Sequence, residues 1–134
     1  MKKAKRILKL LILCISILCF SISTSATVAI QPFAVNTNTY TTSLYFSGST
    51  ASCNLTIYGA TGTTQISNCT ITLKESNGTL IKEWTNQSVV GNELYFSKTA
   101  TTVSSGKTYI LSFSATVYRN GTTENISGSI TKKY

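Results

Sequence analysis

The run Gly106-Lys107-Thr108-Tyr109-Ile110-Leu111-Ser112-Phe113-Ser114-Ala115-Thr116-Val117-Tyr118-Arg119-Asn120-Gly121 carries the strongest structural signal in the chain. Tyr109, Leu111, Phe113, Ala115 and Val117 share one parity, and Ser112, Ser114 and Thr116 share the other. Successive side chains of an extended chain point to opposite faces, so this alternation predicts a strand with one buried face. Gly106 opens it. Asn120-Gly121 closes it with a dipeptide suited to a two-residue hairpin turn, whose central positions need positive φ. We expect this strand to lie at the centre of a β-sandwich.

The hairpin dipeptide sets a register that tests itself. With Asn120-Gly121 at the turn, Arg119 faces Thr122, Ala115 faces Ile126, Phe113 faces Gly128 and Leu111 faces Ile130. Opposed residues share a face, and here the apolar sets coincide. The same treatment of Asn77-Gly78 sets Leu73 against Lys82, Ile71 against Trp84 and Cys69 against Asn86. Trp84 then lies on the core face, and Lys82 is a misfit that must sit at a sheet edge and snorkel.

Further alternating runs predict strands at 40–46, 51–58, 66–75, 79–86, 93–102 and 123–133, which makes about seven with the run above. Gly-, Asn- and Ser-rich turns separate them roughly every ten residues, the pattern of an all-β sandwich or barrel. One domain, 40–134, accounts for them.

Ahead of it, residues 1–26 read as a signal peptide helix. Lys2, Lys3, Lys5, Arg6 and Lys9 form a basic start, an apolar run follows, and Ala26 offers a cleavage point, with Ala29 and Ala34 as alternatives. Residues 27–39 hold the single proline and no alternation, and are expected to be a loosely ordered linker. The expected location is extracellular, reached by bacterial export, with membrane contact only through the uncleaved leader.

The leader also explains the charge. It holds five of twelve basic residues; seven then face four Glu, and the net charge falls from +8 to +3. The basic balance therefore reports targeting, and nucleic acid is not an expected partner. Cys14 and Cys19 leave with the leader, while Cys53 and Cys69 remain as an even pair in an exported chain. A disulfide between them is expected.

Two features of the organising strand resemble an immunoglobulin-like fold. Tyr109 stands near its start, two residues before the core position Leu111, as in a tyrosine corner whose hydroxyl bonds back to nearby backbone. The strand is also the sixth of seven, where that corner belongs. The resemblance implies a single immunoglobulin-like Greek-key β-sandwich. The cysteine positions depart from it, lying on the second and third strands.

A broader pattern comprises Gln31-Pro32-Phe33, Thr50-Ala51-Ser52-Cys53, Gly62-Thr63-Thr64-Gln65-Ile66, Trp84, Gly106-Lys107-Thr108-Tyr109 and Tyr118-Arg119-Asn120-Gly121-Thr122-Thr123-Glu124. It resembles a family of small uncharacterised secreted proteins of Gram-positive, often gut-associated bacteria. That resemblance implies export and fold, and no activity.

Chemistry is sparse. The chain has no His and no Asp, and its carboxylates are Glu75, Glu83, Glu93 and Glu124. Ser and Thr are abundant without a His to activate them. No catalytic residue, metal site or cofactor is expected. Tyr45, Tyr58, Tyr95 and Tyr118 fall out of phase with the inward residues of their strands and form the candidate binding surface. Tyr109, Trp84, Leu111 and Phe113 are the candidate structural residues. Six Asn-x-Ser/Thr tripeptides arise from a composition rich in those residues, and no modification is expected. The expected function is a secreted non-catalytic binding or adhesion module for a glycan, the cell wall or a protein surface. The alternatives are a structural subunit of an extracellular assembly and, further off, a small secreted toxin or bacteriocin-like factor.

Overall fold

A computed structural model describes residues 35–134. The expected signal peptide, 1–26, and the first part of the expected linker lie outside the described residues. Seven strands follow in order: β1 (Thr37–Ser47), β2 (Thr50–Gly59), β3 (Thr63–Glu75), β4 (Leu80–Val90), β5 (Glu93–Thr101), β6 (Thr108–Arg119) and β7 (Thr122–Lys133). They form two antiparallel sheets, ordered β1-β2-β5 and β4-β3-β6-β7, around one core. No helix occurs among the described residues.

β6 takes the place its sequence predicts. Tyr109, Leu111, Phe113, Ala115 and Val117 are all buried. β3 lies on one side of the strand and β7 on the other. The β6–β7 register sets Arg119 against Thr122, Ala115 against Ile126, Phe113 against Gly128 and Leu111 against Ile130, as expected. Asn120 and Gly121 both adopt positive φ, 49° and 77°, the backbone that a twist-matched two-residue turn requires.

At the other hairpin the register is one residue off beside the turn, where Lys74 faces Leu80 and the Glu75 amide donates to the Thr79 carbonyl; it meets the expectation from Leu73 to Ile71 and then departs again. Ile71 faces Trp84 and Leu73 faces Lys82, so Trp84 is buried. Cys69, however, faces Gln87 rather than Asn86. Asn86 adopts φ 57° and adds one residue to β4, while Asn68 at φ 51° adds one to β3 further along. These bulges have opposite effects on the pairing, and Ile66 regains its partner Val89.

Aromatic contacts fasten the sheets along both sides. Trp84 of β4 meets Phe96 of β5 edge-to-face with ring centroids 5.2 Å apart. On the other side Tyr40 of β1 meets Phe113 of β6 at 4.9 Å. Gly128 makes room for that second contact. A Cβ there would stand 2.7 Å from the Phe113 ring and 2.8 Å from that of Tyr40.

The tyrosine corner is present. The Ser104 amide donates to the Tyr109 hydroxyl at 2.8 Å, and the Tyr109 side chain is fully buried. The bond holds the 102–107 crossover against the core, where Val103 is also buried.

The chain departs from expectation in two further respects. The ordered strand begins at Thr37, so residues 37–39 belong to β1 rather than to a linker. The expected Cys53–Cys69 disulfide is replaced by two buried free thiols. Both face inward, but from different sheets. A disulfide needs Cα atoms within about 7 Å, whereas facing sheets ordinarily pack about 10 Å apart. Burial pushes the Cys53 thiol up to about 12 and that of Cys69 up to about 11. The thiolates that would attack an oxidant are thus disfavoured in the folded chain.

Three outcomes are expected. Tyr109→Phe loses the bond and leaves the Ser104 amide unpaired, costing about 1–3 kcal/mol in denaturant unfolding. Gly128→Ala forces the Tyr40 and Phe113 rings apart and costs about 1–3 kcal/mol by the same measurement. Both cysteines should resist a thiol reagent in the native state and react on unfolding. In the unfolded chain they ionise from the ordinary thiol value of 9.0, and in the folded chain only near 11 for Cys69 and 12 for Cys53. Their contribution is therefore complete below pH 9 and lost as pH rises through that window, and Cys→Ala variants should lack this part of the alkaline loss.

Candidate functional site

The outer face of the β1-β2-β5 sheet is built by parity. With Leu55, Ile57, Leu94 and Phe96 buried beneath, the alternate residues of each strand must point outward. Those positions are mostly hydroxyl-bearing. Ser43, Asn54 and Ser97 form one cross-strand row. Asn54 Nδ2 donates to Ser43 Oγ at 3.2 Å, and Ser97 Oγ donates to Asn54 Oδ1 at 2.7 Å. The row stiffens the face with side-chain bonds in addition to the ladder.

Tyrosines interrupt this polar lattice. Tyr58 faces Glu93, and Tyr95 faces Thr56. Tyr58 and Tyr95 are therefore diagonal neighbours on adjacent strands, a spacing of about 7–8 Å within reach of aromatic side chains. They are 40% and 71% exposed. Thr39 lies beside Tyr58, and Thr41 beside Thr56. One end of the face thus presents two aromatic rings, the Glu93 carboxylate and several hydroxyls. The charge of Glu93 raises the Tyr58 phenol above its ordinary range, with burial and a hydrogen bond to the same carboxylate adding to the effect.

The other two candidate tyrosines stand apart. Tyr45 faces Ser52, six residues along β2 from Tyr58, or roughly 20 Å at strand rise. Its ring already carries the Lys132 ammonium 4.8 Å from its centroid. Tyr118 lies on the other sheet, facing Gln65 and Thr123, and is half-buried. The four therefore divide into a pair and two separate residues. The structural candidates Trp84, Tyr109, Leu111 and Phe113 are all in the core. Sequence reasoning did not single out Glu93 as a partner of the tyrosines. Its only local signal was its place just after the Gly91-Asn92 turn, and the β2–β5 pairing that brings it to Tyr58 spans a long sequence interval.

The carboxylates serve different local roles. Glu75 accepts from Lys107 at 2.6 Å. Glu124 is engaged by the backbone of residues 35 and 36. Glu83 faces Thr72, and Glu93 faces Tyr58. Among the described residues no group of three or more His, Cys, Asp or Glu is placed to hold a metal ion. No protein-family model matches the chain, and no curated protein matches it.

The Glu93 geometry generates one outcome of its own. Replacing Glu93 with Gln removes the negative charge beside the phenol, so Tyr58 should ionise at lower pH than in the wild type. Ultraviolet difference titration of the phenolate, compared with a Tyr58→Phe control, checks this.

Proposed function

We propose that the chain is a secreted, non-catalytic module that binds extracellular carbohydrate on the outer face of the β1-β2-β5 sheet. The observation that carries this reading is the Tyr58–Tyr95 pair beside Glu93, set in a field of hydroxyls. A sugar ring offers an apolar C–H face and a polar rim. Exposed aromatic side chains present a flat apolar body with a polar tip. The Glu93 carboxylate accepts strong hydrogen bonds from ligand hydroxyls. The threonines of the same face supply neutral donors and acceptors.

The scaffold reading goes with it: an immunoglobulin-like Greek-key sandwich. Three connections, β2 to β3, β4 to β5 and β5 to β6, pass between the sheets. The tyrosine corner on β6 supports the same assignment. Export and the likeness to small secreted Gram-positive proteins rest on the sequence features of the leader and the quoted motifs.

A second reading, self-assembly, is favoured by one observation. β4 is a sheet-edge strand on which Leu80 and Val90 remain exposed, at 54% and 88%. Exposed edges accept strands from other copies.

Titration of the exported protein against a panel of glycans and cell-wall polysaccharides tests the proposal. Saturable binding is expected, weakened about tenfold or more by Tyr58→Ala or Tyr95→Ala, equivalent to about 1.4 kcal/mol or more. Tyr45→Ala and Tyr118→Ala should leave it unchanged. Absence of binding across the panel, with the protein sedimenting as a polymer, would transfer the case to assembly through β4.

A further inference from the structure

The end of the sandwich at the β6–β7 turn contains a polar clamp that the binding face does not use. Glu124 accepts from the backbone nitrogen of Val35 at 2.8 Å through Oε1. Its Oε2 accepts from the backbone nitrogen of Asn36 and from Thr37 Oγ1, each at 3.0 Å. Three donors from consecutive residues thus converge on one half-buried carboxylate. No lysine or arginine among the described residues forms a salt bridge with it. Arg119, the other charged group contacting this segment, instead donates to the carbonyl oxygens of Val35 and Thr61, at 3.0 and 2.8 Å.

The next residue inward is locked. Asn36 is 2% exposed. Its side-chain amide donates to the carbonyls of Val117 and Thr122, and its own carbonyl accepts from the Ala60 amide and Thr63 Oγ1. Val35 by contrast is 70% exposed. The boundary between protected and accessible chain therefore falls between adjacent residues.

We propose that the exported protein is processed to begin at Val35, and that the resulting α-ammonium is the missing counter-charge of Glu124. An exported peptidase supplies the reaction. Water adds across the amide preceding Val35, the C–N bond breaks, hydroxyl goes to the departing carboxyl group, and the nitrogen leaves as an amine that takes up a proton. The new ammonium occupies the position from which the Val35 nitrogen already donates. Trimming stops there because the fold buries Asn36. Of the cleavage points that the leader region offers, the clamp selects the one after Ala34.

The pair has a defined pH window. An ammonium held by a carboxylate keeps its proton above the ordinary α-amino range of about 8. Its contribution is complete at neutral pH and lost as pH rises through that raised value. Glu124 and Arg119 are the charged groups in contact with the segment, so Glu124→Gln removes the one attraction and leaves the Arg119 contacts in place.

Expression of the full chain in an exporting Gram-positive host, followed by intact mass and N-terminal sequencing, tests the boundary. A start at Val35 is expected; a start at Thr27, at Ile30 or at Met1 overturns the proposal. Thermal midpoints of exported wild type and Glu124→Gln between pH 7 and 10 test the ion pair. The wild-type advantage at pH 7, expected at roughly 4–8 °C, should narrow above pH 8; profiles that stay parallel overturn the pairing. Cyanate at pH 7, which attacks the unprotonated α-amine, gives a reading on the wild type alone. Modification should be several-fold slower in the folded protein than in guanidinium, and equal rates overturn the pairing.

Discussion

Tyr40 lies over Gly128 against Phe113, and the joining of β1 to the opposite sheet depends on that contact. β1 is an edge strand whose backbone ladder runs to β2 alone. Its attachment to the other sheet must therefore come from side chains. The one position in β7 without a side chain is where the Tyr40 ring fits. Around it the other closures follow: Phe46 stacks on Tyr134 at 4.7 Å, and Lys132 covers Tyr45. An absent Cβ thus lets two sheets share one core at their open side.

The opposite flank is fastened by Trp84 and Phe96. Between the flanks, the inward residues of β2, β3 and β6 are almost wholly excluded from water, including both cysteines. Packing does the work that a covalent bridge was expected to do. The thiols are small apolar groups in this setting, since burial disfavours their charged form.

Local pairing was legible in the sequence; distant pairing was not. The β6–β7 register could be read because its turn residues and both apolar sets lie within one hairpin. The β3–β4 register failed beside the turn, where the loop takes three residues instead of two, and again beyond Trp84, since Asn68 and Asn86 take left-handed backbone that asparagine tolerates but does not announce. Parity placed Cys53 and Cys69 inward but carried no information on the gap between sheets. The same limit applies to the candidate site. Alternation identified four outward tyrosines, while only the fold showed that Tyr58 and Tyr95 meet beside Glu93. The clamp of Glu124 on residues 35–37 joins segments nearly ninety positions apart and left no local trace.

The ends of the described chain sit at opposite poles of the sandwich. Val35 is gripped beside the β6–β7 turn, whereas the Tyr134 hydroxyl donates to Gly48 in the β1–β2 turn. A pull applied between them runs along the strands, nearly at right angles to the ladder bonds of an antiparallel sheet. The load therefore falls on many bonds of β1–β2 and β6–β7 together, in shear, instead of opening them one after another like a zip. Separating the two poles thus requires both hairpins to slip at once.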